Sequence, residues 1–251
     1  MSNNALRDLV LSGVYWELAD NSSFVSSSPQ ERFAETAQNQ AMHRAAASVV
    51  PPVSPTATIS LDTVRSMASR PTDIDALNRM IGEFNHPLRG GATTTVLPHV
   101  GRGKLLILTD MPSSDDDASG VVLSGTAGEL MDKMLAAIGL TREDVSIVPV
   151  LFWRTPGGRT PSREELDLSR PFVDKVIELL APRVILTLGT LPAAELAGIN
   201  LAKSHGAQTD GPFDTTLVPI FHPNYLLLKP TAKRDVWTAL QNVQNILKNA
   251  E

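Results

Sequence analysis

The chain has 251 residues, 42% hydrophobic and 20% charged, which suits one sizeable buried core with a small appendage. Its formal net charge of −5 gives no general attraction to nucleic acid, so any such contact needs a local basic face. It contains no cysteine, which excludes disulfides, thiol catalysis and thiolate-held zinc or iron–sulfur centres, and which fits a reducing compartment.

Residues 4–19 place Leu6, Leu9, Val10, Tyr15 and Leu18 near helical spacing, predicting a short helix. Residues 20–44 are polar, and residues 45–60, AAASVVPPVSPTATIS, read as a Pro/Ala/Ser linker. Residues 1–60 are therefore an expected appendage and 61–251 the expected folded domain. No apolar run approaches the roughly 18–20 residues of a membrane span, and the N-terminus lacks the order of a signal peptide. A cytoplasmic monomer without membrane contact is expected. Asp62 is the expected cap of a helix over 63–69, and Thr72 that of a helix covering residues 74–81. The run His86-Pro87-Leu88-Arg89-Gly90-Gly91 then breaks regular structure.

The stretch KLLILTDMPSSDDDASGVVLSG, residues 104–125, carries the strongest local signal. Leu105 to Thr109 form a short apolar run, ended by a Pro/Ser/Asp cluster, as in a strand buried on both faces of a parallel sheet. The loop that follows holds Asp110, Asp115, Asp116 and Asp117 and sits where open α/β folds place their ligands. A helix follows from about Thr126 to Gly139. A second strand spans Val145 to Phe152, with irregularity expected at Pro149. After the loop from Trp153 to Pro161 comes a helix capped by Ser162 and running to about Leu180. A third strand covers Val184 to Leu188, closed by Gly189-Thr190 and a helix over 192–197. A fourth covers Leu217 to Phe221, before His222-Pro223-Asn224-Tyr225-Leu226-Leu227. The last helix, 231–249, aligns Val236, Leu240, Val243 and Leu247 on one face. This alternation implies an α/β protein, a three-layer α/β/α sandwich around a parallel sheet about four strands wide.

Taken singly, these residues have two readings each. Asp110 and Asp115 to Asp117 fit a solvated turn with a helix cap as well as a site, and consecutive carboxylates are a weak Mg²⁺ signal. His222 before a proline at a strand end fits a turn as well as a catalytic group. Arg154, Arg159 and Lys229 fit surface charge as well as phosphate contacts. His86 and His99 read as inert, and Met131, Met134 and Leu135 as core packing.

Four segments in order, TAGELMDKMLAAIGL, WRTPGGRTPSREE, RPFVDKVIELLAPRVILTLG and HPNYLLLKPTAKRDVWTAL, together resemble the family-four uracil-DNA glycosylases over roughly residues 75–249. The likeness is to alphaproteobacterial members, which share the N-terminal helix and linker. It implies a uracil-DNA glycosylase-like fold, DNA as partner, and hydrolysis of the N-glycosidic bond of a flipped uracil in base excision repair. Family-four enzymes hold a four-iron cluster with four cysteines. The matching positions here are Glu83, His86, Trp153 and Ser169, so no cofactor and no metal are expected, and Trp153 is expected to fill the space.

The family motif Gly-Glu-x-Pro-Gly aligns with Thr109-Asp110-Met111-Pro112-Ser113, which keeps a carboxylate in Asp110 and loses both glycines. The family's stacking Phe aligns with Leu123, and the Asn that reads the uracil edge aligns with Pro149. The implied base pocket is Met111, Pro112, Leu123 and Pro149. In the last motif His222 matches the residue that stabilises the departing uracil anion, so His222 and Asp110 are the implied catalytic pair. Asn224, Tyr225 and Leu226 match the loop that enters the duplex. The family's following Arg is Leu228, with Lys229 and Lys233 nearby. Arg154, Arg159, Gly189, Thr190 and Lys229 are expected DNA contacts at the carboxyl edge of the sheet. The loop from Arg154 to Pro161 has neither the basic insert nor the His of the superfamily's covalent-trapping class. Two functions follow: a cluster-free glycosylase with weak or shifted base specificity, or a catalytically inactive paralogue acting as a DNA- or protein-binding module. Filling of the base cavity by Tyr225 or Met111 would count against the first.

Overall fold

A computed structural model describes residues 60–249, so the expected N-terminal helix and nearly all of the linker lie outside the described residues. The strands are β1 (Leu105–Thr109), β2 (Val145–Pro149), β3 (Val184–Leu188), β4 (Thr209–Asp210) and β5 (Thr216–Ile220). The α-helices of the first half are α1 (Leu61–Ala68), α2 (Ile74–Glu83), α3 (Ser114–Ser119) and α4 (Gly125–Ala137). Those of the second half are α5 (Arg163–Leu180), α6 (Thr190–Ala197), α7 (Leu201–Ser204), α8 (Pro223–Leu228) and α9 (Lys233–Lys248). None of the described helices is long and apolar enough to cross a membrane.

The sheet runs in the order β2-β1-β3-β5-β4. β2, β1, β3 and β5 are parallel, as the sequence predicts, and β4 adds a two-residue antiparallel edge on β5. So short a strand leaves no periodicity to read. Every residue of β1, β2 and β3 is buried, which is why these runs are apolar without alternation. Successive side chains nevertheless serve opposite faces. Leu105, Ile107, Val184, Leu186, Val218 and Ile220 pack into a core layer with α4 and α9. Leu106, Leu108, Ile185 and Leu217 pack into the other layer, with α1, α2 and α5. Each such side chain stabilises the fold by about 1.5–3 kcal/mol relative to exposure. These two layers make the α/β/α sandwich.

Three local expectations shift. Ser60, not Asp62, caps α1 through its side chain, and Asp73, not Thr72, caps α2. The acidic loop after β1 is not open: its residues form α3, closed by a reciprocal box in which Ser113 and Asp116 each accept the other's backbone N–H. The second strand stops at Pro149 rather than Phe152. β2 is the sheet's edge, and Pro149 N faces away from β1, because Val150 N–H makes the bond to the Thr109 carbonyl (3.0 Å). A missing donor is tolerated there. From β1 the chain steps outward to β2 and then returns to the other side of β1 for β3. The switch point between the carboxyl ends of β1 and β3 is the crevice where such sheets bind ligands.

Candidate active site

The residues that leave β1, β3 and β5 converge at this crevice. Gly189 follows β3 with φ +95°, a conformation that side chains rarely adopt. A Cβ there would lie 3.3 Å from Asp110 Oδ2 and 3.5 Å from the His222 Cβ, so the bare glycine packs between the two. Beside them opens a cavity of about 360 Å³ whose walls include Asp110, Met111, Pro112, Leu123, Arg154 and His222. That is the size range of small-molecule pockets.

Asp110 Oδ1 is buried with no hydrogen-bond partner, and burial pushes the carboxyl up to about 7. His222 caps α8: its Nδ1 accepts the Asn224 N–H at 3.2 Å. The ring proton therefore sits on Nε2, which lies 3.3 Å from Thr109 Oγ1. Burial pushes His222 down to about 4, against an opposing pull from Asp116. At neutral pH the site thus holds a neutral imidazole presenting N–H and a carboxyl poised between its two forms. Thr109 was not singled out as a site residue, since it closes an apolar run; its position at the strand's carboxyl end and at the first place of the aligned motif were the signals.

The other aspartates serve the scaffold. Asp116 accepts from Ser113 N–H (3.0 Å), Ser124 N–H (2.6 Å) and Ser124 Oγ (2.6 Å). Asp117 accepts from the backbone N–H groups of Thr93 and Thr94. Among the described residues no group of three His, Cys, Asp or Glu side chains is placed to hold a metal ion. Leu123 lines the cavity at φ +53°, a strained conformation for leucine. Arg142 holds this bend by donating to the carbonyls of Val122 and Leu123. Gly128 gives the bend room, since a Cβ there would meet the Leu123 carbonyl oxygen at 2.1 Å. The sequence reading missed Arg142, whose target is backbone 19 residues away.

Met111 forms part of the wall, with its sulfur 3.2 Å from Thr155 Oγ1, and leaves the cavity open. Tyr225 turns outward: it is exposed, and its ring lies 4.8 Å from that of Phe221. Pro149 ends β2 beside Thr109 and is not part of the wall. Of the expected DNA contacts, Arg154 is on the wall and donates to the Pro112 carbonyl at 3.2 Å. Arg159 instead grips Glu165 with both terminal nitrogens, which holds the Glu165 carboxyl down to about 2. Its charge is already matched within the protein. Asn224 is exposed and also lines the cavity, whereas Thr190 and Lys229 are exposed outside its wall, with Lys229 Nζ 5.9 Å from the Tyr225 ring. Leu226 corrects the expectation from the motif: it is 1% exposed within the core layer of α4, so it is not available to a duplex. The outward leucine of α8 is Leu228, 86% exposed.

A family model described as the Uracil DNA glycosylase superfamily matches residues 99–243, which includes every wall residue of the cavity. The chain belongs to the uracil DNA glycosylase superfamily. Within this superfamily it is similar to the type-4 uracil-DNA glycosylase of Archaeoglobus fulgidus, 31% identical over 153 residues that cover 57% of this chain and 77% of that protein. The type-4 enzyme of Thermotoga maritima is 30% identical over 167 residues, 65% of this chain and 79% of the relative. That of Pyrobaculum aerophilum is 32% identical over 149 residues, 55% and 76% respectively.

This superfamily member does not fit an iron–sulfur cluster at the positions where family-four enzymes carry one. Glu83 is exposed at the end of α2. His86, Trp153 and Ser169 are buried, at 1%, 0% and 0% exposure, with no thiolate among them. The imidazole and indole stack with centroids 4.6 Å apart, and Phe84 packs against Trp153 and Phe172. Protein atoms fill the space.

Proposed function

We propose that the chain is a cluster-free DNA glycosylase of base-excision repair that hydrolyses the N-glycosidic bond of a flipped base with weak or shifted base selectivity. The observation that carries this reading is the open cavity with neutral His222 and unpartnered Asp110 on its wall. An inactive scaffold has no need to keep a buried carboxyl without a partner, which costs stability.

The chemistry follows from the two side chains. Ionised Asp110 accepts a proton from a water molecule as the water oxygen bonds to C1′ of the sugar. The bond from C1′ to the base breaks, and its electron pair stays on the base. The His222 Nε2–H donates a hydrogen bond to the anion that develops, from a ring held in place by its cap on α8. The base then takes a proton from solvent and leaves, and Asp110 gives up the proton of the attacking water to solvent, which restores the carboxylate. Burial keeps the ring neutral at pH 7, and its Nε2–H is sufficient to donate to the developing anion.

Selectivity rests on what the wall lacks. Leu123 gives apolar contact without a π face, and Pro149, at the position where the family reads the uracil edge, lies off the wall and supplies no amide. A site that hydrogen-bonds its substrate can discriminate by about 10⁴, and with the family's amide gone that discrimination passes to other polar wall groups such as Ser124 and Asn224, which favours a shifted base preference. Exposed Tyr225 and Leu228 on α8 and Lys229 just after it, with Arg154 on the cavity wall, are the surfaces we assign to the strand around the flipped nucleotide. Release of uracil and hypoxanthine from single-stranded oligonucleotides tests the reading. His222→Ala is expected to slow single-turnover release by about 10²-fold or more. Absence of release of either base by folded wild-type protein sinks it in favour of a binding module.

A further inference from the structure

We infer that Trp153 and His86 are positioning residues that set Arg154 at the mouth of the cavity, a task the stacked rings perform where the family's cluster is missing. The inference rests on the DNA-binding part of the function proposed above. Its first element is orientation. The two rings are nearly parallel, 4.6 Å apart with 10° between their planes, and both are buried. Phe152 meets the indole edge-on at 5.8 Å and 81°, and Phe84 and Phe172 close the layer. Space filling alone would be satisfied by any apolar side chain. Here both rings also have directed hydrogen bonds: Trp153 Nε1–H donates to Thr95 Oγ1 at 3.0 Å. His86 Nδ1 accepts the Leu88 N–H at 3.2 Å, so its Nε2–H donates to the Glu165 carbonyl at 3.1 Å. Stack, edge contact and hydrogen bonds leave the indole one orientation.

The second element is where the chain goes next. Arg154 shares the backbone of Trp153, and its guanidinium reaches the Pro112 carbonyl on the cavity wall. It also fits closely against Gly158, where a Cβ would stand 3.1 Å from the Arg154 Nη2. Thr155, 1% exposed, donates to the Arg159 carbonyl at 2.6 Å and folds the loop back. Arg159 then grips the Glu165 carboxylate, and Glu165 is the residue whose carbonyl holds His86. The loop from Trp153 to Arg159 is thereby fastened at both ends to the first turn of α5. The guanidinium keeps donors for a phosphate at the mouth, and its place is set by the stack behind it.

The test is a double-variant cycle read by fluorescence anisotropy with an undamaged single-stranded oligonucleotide, which needs no base release. Arg154→Ala is expected to weaken binding about fivefold to tenfold and to make the slope of log affinity against log salt shallower by about 0.7, one phosphate contact. Trp153→Leu, shown to be folded by its near-ultraviolet circular dichroism, is expected to do the same. The double variant is expected to be no weaker than Arg154→Ala, and Trp153→Phe, which keeps a ring on His86, to recover most of the loss. Should Trp153→Leu not fold, His86→Leu takes its place in the cycle with the same expectations. Additive losses, or a folded stack variant with unchanged affinity and salt slope, overturn the inference. So does an Arg154→Ala variant that binds like wild type, since the stack would then have nothing to position. His222-dependent base release is measured separately, so failure here leaves the glycosylase reading to stand or fall on its own.

Discussion

An unfolded aspartate releases its proton near 3.8, whereas burial holds the proton on Asp110 up to about 7. The folded state therefore binds this proton more tightly than the unfolded state. Its favourable contribution is full below about pH 4 and is lost as pH rises through about 7. Asp110→Asn has no charge to bury, so relative to wild type it is expected to gain stability as pH increases. The gain should be on the order of 4 kcal/mol at pH 8, about 8–16 °C in Tm, and close to nothing at pH 4. Thermal melts at the two pH values check this, and a variant less stable than wild type at pH 8 would mean that the carboxylate has a partner in the fold. His222 works in the other direction. Its depressed value, about 4 against 6.5, favours the neutral ring, and that contribution is lost as pH falls from about 6.5 through 4. The resemblance to a family marked both residues in the sequence; their protonation states were not legible, because each depends on burial by residues distant in the chain.

At the scale of elements, α8 joins two duties in six residues. Its inner side packs Leu226 into the core layer of α4, and its outer side presents Tyr225 and Leu228 at i and i+3. Leu226→Ala is expected to cost about 2–5 kcal/mol of stability. Leu228→Ala should leave Tm within about 1 °C while weakening single-stranded DNA binding about fivefold or more, in the range of one lost base contact. Urea melts and anisotropy titrations separate the two, and the reverse pattern would show that α8 faces DNA with its other side. A run of Leu226, Leu227 and Leu228 gives no sign of which leucine faces out, since a six-residue helix is too short for its period to show. Of the parallel strands, by contrast, β1 and β3 were readable to the residue and β5 to within one, while β2 was read three residues too long. Runs such as Val184 to Leu188 are buried on both faces and admit only apolar and Thr side chains. Caps moved by one or two residues because Ser60 and Asp73 compete with equally suitable neighbours. β4 and α3 are too short for any pattern.

For the molecule as a whole, the formal charge of −5 sets a limit on how it holds a polyanion. Arg159, which the sequence offered as a phosphate contact, is paired with Glu165, and two further arginines are likewise matched, Arg163 with Asp167 and Glu195 and Arg170 with Asp174. These pairings are tertiary or span a helical turn, and only the fold reveals them. With Arg154 and Lys229 as the cations at the mouth, about two phosphates are expected to be neutralised. The slope of log affinity against log salt for a single strand should then lie near −1.4. A slope of −4 or steeper would mean that further cations join these two on the strand. Binding so shallow in salt leaves specificity to the cavity, and the cavity to Asp110 and His222.

The measurement that bears most directly on that pair is the pH dependence of single-turnover base release from a single-stranded oligonucleotide. The rate is expected to rise with pH through an apparent value near 7, as Asp110 ionises, with no second limb near 6.5 because His222 is already neutral. Asp110→Asn is expected to remove the limb and most of the rate. Release that is unchanged in rate and pH profile by Asp110→Asn, or no release at any pH from folded protein, would contradict the account.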